Sequence, residues 1–214
     1  MTHHTTPYAP ALGTGSGLRP APGPQEVIVP QPGAIRPGQD VLSAAQAKEV
    51  AERQARAELL ARLGVPTGPD DRMDQFADHL AEVTGMVYGF VNIFLTEQTF
   101  VGLHNPPPDT GYMILGRTMS LEDGWCPAVV RRKNALPLWD VHASSTFSGN
   151  LVVDMVGIRS YFGAPLIVEG IVLGTVCAID PEARPRSDAQ HLLDAVKDGA
   201  TLVLDALTSG APVR

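Results

Sequence analysis

Cysteine is scarce in this chain: there are two in 214 residues, and neither belongs to a CxxC pair. That rules out a disulfide-stapled scaffold. Positive charge is also in short supply, with 16 Lys and Arg against 23 Asp and Glu and a net charge of −7. A nucleic-acid surface needs clustered cations to displace counterions from phosphate, so that class of partner is excluded. No apolar run approaches the roughly 18 residues needed to cross a bilayer, so no membrane association is expected. Residues 1–17 lack the basic start and apolar stretch of a secretory signal. The histidines His79, His104, His142 and His191 show neither HxxxH nor HExxH spacing, so no metal site is expected. What is present is a globular composition, 44% hydrophobic and 18% charged. The expectation is a cytoplasmic protein of one domain plus an appendage.

Composition shifts along the chain. Residues 1–40 hold eight prolines and six glycines, which cannot bury enough apolar surface to offset the entropy of ordering and read as a disordered tail. Pro7-Tyr8-Ala9-Pro10 has the spacing of a polyproline ligand, though such spacing arises easily in a Pro-rich linker. Gly13-Thr14-Gly15-Ser16-Gly17 has no lysine after it and is not a phosphate loop. Val41 to Leu63 contains no Gly or Pro and favours a helix. Its narrow apolar stripe of Leu42, Ala45, Ala51, Ala55, Leu59 and Leu63 suits docking on its own domain or pairing in a homodimer. Residues 64–208 read as the folded domain, and 209–214 as a flexible end.

Within that domain, Asp70 is an N-cap for a helix carrying Met73, Phe76, Ala77 and Leu80, stopped by Gly85. Met86 to Leu95 and Thr99 to His104 read as two strands with apolar residues on both parities, so both faces of their sheet must be covered. A short helix is expected from Gly124 to Arg132, a strand from Leu136 to Val141, a loop from His142 to Asn150 and a short helix to Val156. Ser160 to Val168 and Ile171 to Asp180 form a hairpin around Glu169-Gly170. Pro165 makes the first of these bulged or edge-like at that point. Ser187 and Gln190 read as a capping box for a last helix with Leu192, Val196, Ala200, Val203 and Leu207. Hairpin-linked strands with helices gathered at the chain ends make an α+β fold on an antiparallel sheet.

Several of these segments also resemble a known family. Gly157-Ile158-Arg159-Ser160-Tyr161-Phe162-Gly163-Ala164-Pro165-Leu166 and Leu173-Gly174-Thr175-Val176-Cys177-Ala178-Ile179-Asp180 are similar to the paired late strands of bacterial signalling GAF domains. Gly124-Trp125-Cys126-Pro127 and Leu138-Trp139-Asp140-Val141, continuing to Phe147 and Asn150, resemble that group's earlier motifs. The resemblance covers about residues 57 to 207. One departure is Pro127, where the family often has His after the early Cys. The resemblance implies terminal helices on one face of the sheet. On the other, a roof from Tyr112 to Val156 of loops and short helices closes over a pocket.

For site residues, Trp125, Trp139, Phe147 and Tyr161 fall in roof or roof-facing segments, with Cys126, Asp140 and Ser148 supplying polarity. Cys126 reads either as a thiol activated at a helix start or as a small buried hydrophobe. Cys177, mid-strand, reads as core, and sequence spacing does not decide whether the two thiols meet. Free methionine sulfoxide reductases are GAF enzymes with a roof cysteine cluster, but residues 144–150 hold no second cysteine to resolve a sulfenic acid. Pro127 counts against a bilin, no cyclic-nucleotide signature is present, and a haem would need His104 or His142. No cofactor is assigned. The expectation is a non-catalytic sensor that binds a small molecule under the roof and signals through its terminal helices as a homodimer or to a signalling partner. The alternatives are a ligand-free scaffold for another protein and a thiol redox protein using Cys126.

Overall fold

The computed structural model describes residues 37–209, so the first 36 residues of the expected tail, including Pro7–Pro10 and Gly13–Gly17, and the last five residues lie outside the described residues. In chain order the elements are α1 (Pro37–Leu63), α2 (Asp71–Thr84), β1 (Tyr88–Phe94), β2 (Gln98–His104), β3 (Thr118–Met119), α3 (Cys126–Arg132) and β4 (Leu136–Leu138). Then follow α4 (Ser145–Ser148), α5 (Leu151–Val156), β5 (Ser160–Val168), β6 (Ile171–Asp180) and α6 (Ala189–Thr208). The first helix starts before Val41, with Pro37 at its first position, where the missing N–H would have no helical partner.

Local signals set most boundaries. The Asp70 carboxylate accepts the N–H groups of Arg72 and Met73, and Gly85 closes α2 with φ 60°. Asn150 caps α5 through the Val152 N–H. Glu169 and Gly170 both take positive φ, 52° and 77°, as a two-residue hairpin turn requires. Pro165 sits beyond Gly163, where β4 stops pairing with β5, and the register slips just after it, between Leu166 and Ile167.

Three local readings differ from the structure. The strand expected from Leu136 to Val141 ends at Leu138, and Val141 already belongs to a 3-10 turn. The Ser187–Gln190 capping box does not form: a 3-10 turn from Arg186 to Asp188 precedes α6, and the N-cap is Asp188 without a side-chain bond. Ser187 is already inside helical geometry, so its hydroxyl donates to Asp188 instead. The segment His142–Asn150 is not all loop, because Asp140 caps a 3-10 turn at Val141–Ala143 and α4 follows. Pieces of three or four residues carry no periodicity to read.

Among the described residues six strands form one antiparallel sheet in the order β3-β2-β1-β6-β5-β4. Every residue of β1 is buried. Val91 and Ile93 face a core with Leu59, Leu60, Met73, Leu80, Val196 and Val203 from α1, α2 and α6. Tyr88, Phe90 and Phe94 face a second core with Trp125, Val129, Val141 and Val152 from the roof. Glycine sets how closely α2 lies on the sheet. A Cβ at Gly89 would sit 2.3 Å from the Ala77 carbonyl oxygen, and one at Gly102 would sit 2.1 Å from that of Met73.

The roof is tied to α2 at the sheet edge. Arg117 grips Asp74 with two hydrogen bonds of 2.9 and 2.8 Å, and the Leu103 N–H donates to the same carboxylate. Burial pushes the Asp74 carboxyl up, but these bonds and the Arg117 charge outweigh it and hold it below its ordinary value. No helix among the described residues is long and apolar enough to cross a membrane.

Two measurements test this frame. Gly102→Ala, which drives a methyl into the α2 backbone, is expected to cost about 2 kcal/mol in urea unfolding. Gly149→Ala, with open space around it, should change little, and equal effects would mean that α2 stands off the sheet. Because the Asp74 carboxyl is depressed in the folded state, its stabilisation is present above the unfolded value and is lost as pH falls through the folded one. Asp74→Asn should therefore flatten the acid limb of the stability curve, and an unchanged limb would remove the Asp74–Arg117 tie.

Candidate functional site: a cavity floored by two thiols

Between the roof and the sheet lies a cavity of about 110 Å³. Phe90, Phe100, Cys177 and Ile179 reach it from the strands, and Trp125, Cys126 and Val152 reach it from the roof. None of its lining side chains is charged, and the exposed Gly116 and Thr118 lie at its rim beside β3.

A buried polar bridge places the roof. Gln98 is 1% exposed at the start of β2. It donates through Nε2 to the carbonyls of Ser120 (2.5 Å) and Asp123 (2.8 Å), and its Oε1 accepts from Asn92 Nδ2 at 2.9 Å. That pins the loop just ahead of α3. Gly124, with φ 74°, then turns the chain into Trp125 and Cys126. Trp125 donates from Nε1 to the Phe147 carbonyl at 3.1 Å, and its ring lies 5.5 Å from that of Tyr161.

Strand alternation brings the second thiol to the same place. Val176 and Ala178 face the helices, so Cys177 faces the roof. Its sulfur lies 3.4 Å from that of Cys126, and both are free thiols. Tyr161 donates from its hydroxyl to Cys126 Sγ at 3.4 Å. Gly163 makes room for this: a Cβ there would lie 2.1 Å from the Tyr161 oxygen. Gly163 is also the ladder partner of Cys177.

These contacts separate the acidities of the three groups. The hydrogen bond from Cys177 brings the Cys126 thiol down to about 7, against burial, with further lowering from Thr175, Tyr161 and Asn92. Cys177 moves well up, because it donates to Cys126, is buried and sits beside that sulfur's charge. Tyr161 also moves well up, through burial first and then the charge on the two sulfurs. Thr175 and Asn92, paired across β6 and β1, are both fully buried, and among the described residues Asn92 Oδ1 has no hydrogen-bond partner.

Of the residues singled out by sequence, Trp125, Cys126 and Tyr161 line the cavity and the other four do not. Trp139 packs against the helix-side core, with the Arg186 guanidinium 5.3 Å from its ring centre. The reason is parity: Leu136 and Leu138 of β4 face the roof, which puts Trp139 on the opposite side. Asp140 caps the 3-10 turn and pairs with Arg159 at 2.9 Å. Phe147 packs into the roof core and offers its carbonyl to Trp125, while Ser148 ends α4 half-buried. His104 is held by Asp78 at 2.7 Å, and His142 is exposed. Sequence reasoning missed Cys177 as a site residue, and with it the presence of a partner thiol for Cys126. The alternation of Val176, Cys177 and Ala178 carried its facing direction, but nothing local carried the position of α3 over it.

Among family models, that of the GAF domain matches residues 68–201. Solved structures similar to the chain include a free methionine-R-sulfoxide reductase from Neisseria meningitidis in complex with its substrate. It is 15% identical over 77% of this chain and 94% of that one, with a TM-score of 0.49. Two others are GAF domains of phosphoenolpyruvate-protein phosphotransferases. That from Coxiella burnetii is 12% identical over 76% and 96% of the two chains, with a TM-score of 0.47. That from Acinetobacter is 11% identical over 75% and 97%, with a TM-score of 0.46. No curated protein matches the sequence.

The proton arrangement is open to titration. Alkylation of Cys126 by a small neutral reagent should rise with pH and level off above about pH 8, where an ordinary thiol of pKa about 8.5 is still rising. Tyr161→Phe removes one donor and should move the midpoint upward. An identical midpoint in the variant would show that the phenol does not act on the sulfur.

Proposed function

The chain belongs to the GAF domain family, and on that premise we propose that it is a non-catalytic sensory module. It takes a small, uncharged molecule into the roofed cavity and passes the change to the helices behind the sheet. The observation that supports this reading is the cavity itself, about 110 Å³ with aromatic walls and no charged lining. An apolar void of roughly 150 Å³ admits a benzene-sized guest, which sets the scale. A phosphorylated or anionic guest would lose its hydration and find no cation in return. Trp125 and Tyr161 would bound the guest, with the thiols and the phenol as polar fixtures.

The route outward is short. Cys177 and Ile179 face the cavity, while Val176 and Ala178 on the same strand belong to the core that holds Val196, Ala200 and Val203 of α6. A displacement of β6 is therefore felt directly by α6, provided that the guest binds one packing better than the other. The last turns of α1 dock on the domain through Leu59 and Leu60, and Arg56 Nε donates to the Val172 carbonyl. Residues 43–54 stay exposed, with Val50 at 61%. That exposed half is the surface through which a homodimer or a signalling partner would read the state. A ligand-free scaffold is the second reading, favoured by the exposed Ile114, Leu151 and Met155 on the roof.

A thermal-shift panel of small neutral metabolites separates the two readings. A guest at a hundred times its Kd should add about 2.7 kcal/mol of stability. Val152→Phe, which fills the cavity, should abolish the shift, whereas Leu151→Glu on the outer surface should preserve it. A shift that survives Val152→Phe, or no shift with any compound, would remove the receptor reading and leave the scaffold.

A further inference from the structure

Cys126 and Cys177 are 51 residues apart in the chain and come from different layers, yet their sulfurs lie 3.4 Å apart. Three features around them are not what simple packing needs. The fully buried Tyr161 hydroxyl donates to sulfur, and the absent side chain of Gly163 clears the space that lets it do so. Thr175 and Asn92, paired across β6 and β1, put further buried polar groups beside the pair. Both thiols also line a cavity with a solvent-exposed rim, so a molecule the size of a few waters can reach them.

We propose that Cys126 and Cys177 are a redox-active dithiol that a hydroperoxide entering the cavity converts to a disulfide joining the roof to the sheet. The Cys126 thiolate attacks the terminal peroxide oxygen. An S–O bond forms, the O–O bond breaks, and the leaving oxygen departs as water or an alcohol with the proton that Cys126 gave up. Cys177 then attacks the Cys126 sulfur, the S–S bond forms, the S–O bond breaks, and the hydroxyl leaves as water with the Cys177 proton. Two thiols and one hydroperoxide become one disulfide, one alcohol and one water, and the peroxide receives the two electrons. Tyr161 is a positioning residue that steadies the Cys126 thiolate through its hydrogen bond.

Closing the sulfurs from 3.4 Å to about 2.05 Å draws the first residue of α3 onto β6. Both sulfurs are cavity wall, so the oxidised cavity has a different shape. This step uses the cavity only as a route and stands whether or not a guest resides there.

The test exposes the full chain to hydrogen peroxide, blocks remaining thiols with N-ethylmaleimide in denaturant, and reads the intact mass. The expected product is a single chain lighter by two hydrogens and unlabelled. It reverts with dithiothreitol and yields on digestion the Cys126 peptide joined to the Cys177 peptide. Cys177→Ala should stop at a Cys126 sulfenic acid that dimedone traps. Cys126→Ala should slow the loss of the remaining thiol by at least about tenfold. The proposal is overturned if wild type gains oxygen on one cysteine while the other still takes label, or if both variants lose thiol at the wild-type rate. The wild-type peptide map does not depend on how the variants fold. The disulfide is read in the wild-type chain with no metabolite present and the thermal shift in the reduced wild-type chain, so either reading can fail while the other holds.

Discussion

β1 is buried from end to end and β6 from Val172 onward, so the centre of this sheet has no face to give to water. Two independent apolar layers must be supplied, one on each side, and the other features of the molecule follow from how each is made. On one side three helices suffice, and glycines in β1 and β2 let α2 rest on the strand backbones. On the other side the chain offers only 3-10 turns, loops and helices of one or two turns. Pieces that short bring few apolar contacts each, so they are fastened by specific hydrogen bonds instead. Gln98 holds the loop before α3, Trp125 holds the carbonyl of Phe147, Tyr88 donates to the Met113 carbonyl, and Arg117 clasps Asp74.

A roof built this way touches the sheet at its anchor points and leaves a space between them. The void is thus a consequence of covering an apolar face with irregular chain, and its chemistry is decided by which strand positions look upward. Phe90 and Phe100 give it apolar walls, and Gln98, Tyr161 and the two thiols give it its polar atoms. In so dry a place a sulfur with several donors around it can hold charge that an isolated buried thiol would shed. That is why Cys126 and its neighbours diverge in acidity while the charged residues of the same loop, Glu122 and Asp123, lie outside the lining. A guest and an oxidant would both act on one wall, where a small change in roof position is felt by β6 and then by α6.

Family membership and local structure were open to reading from the sequence. The Asp70 and Asn150 caps, the Gly85 stop and the Glu169-Gly170 turn each depend on residues within a few positions of one another. Trp139 was misplaced although its neighbours Leu136 and Leu138 carried the parity that puts it with the helices. The α6 start was misread for a related reason: a 3-10 turn ahead of it moved Ser187 out of the capping position.

The sequence alone determined that there is an antiparallel sheet, that both its faces are covered, and that Cys177 alternates with residues of the opposite core, because alternation and capping are properties of neighbours. Only the tertiary structure decided that Cys126 descends onto Cys177, that Tyr161 bends over Gly163 to reach it, and that a void remains beside them. Those positions depend on strand register, on the Gln98 anchor and on packing between segments dozens of residues apart, and no local pattern encodes such distances.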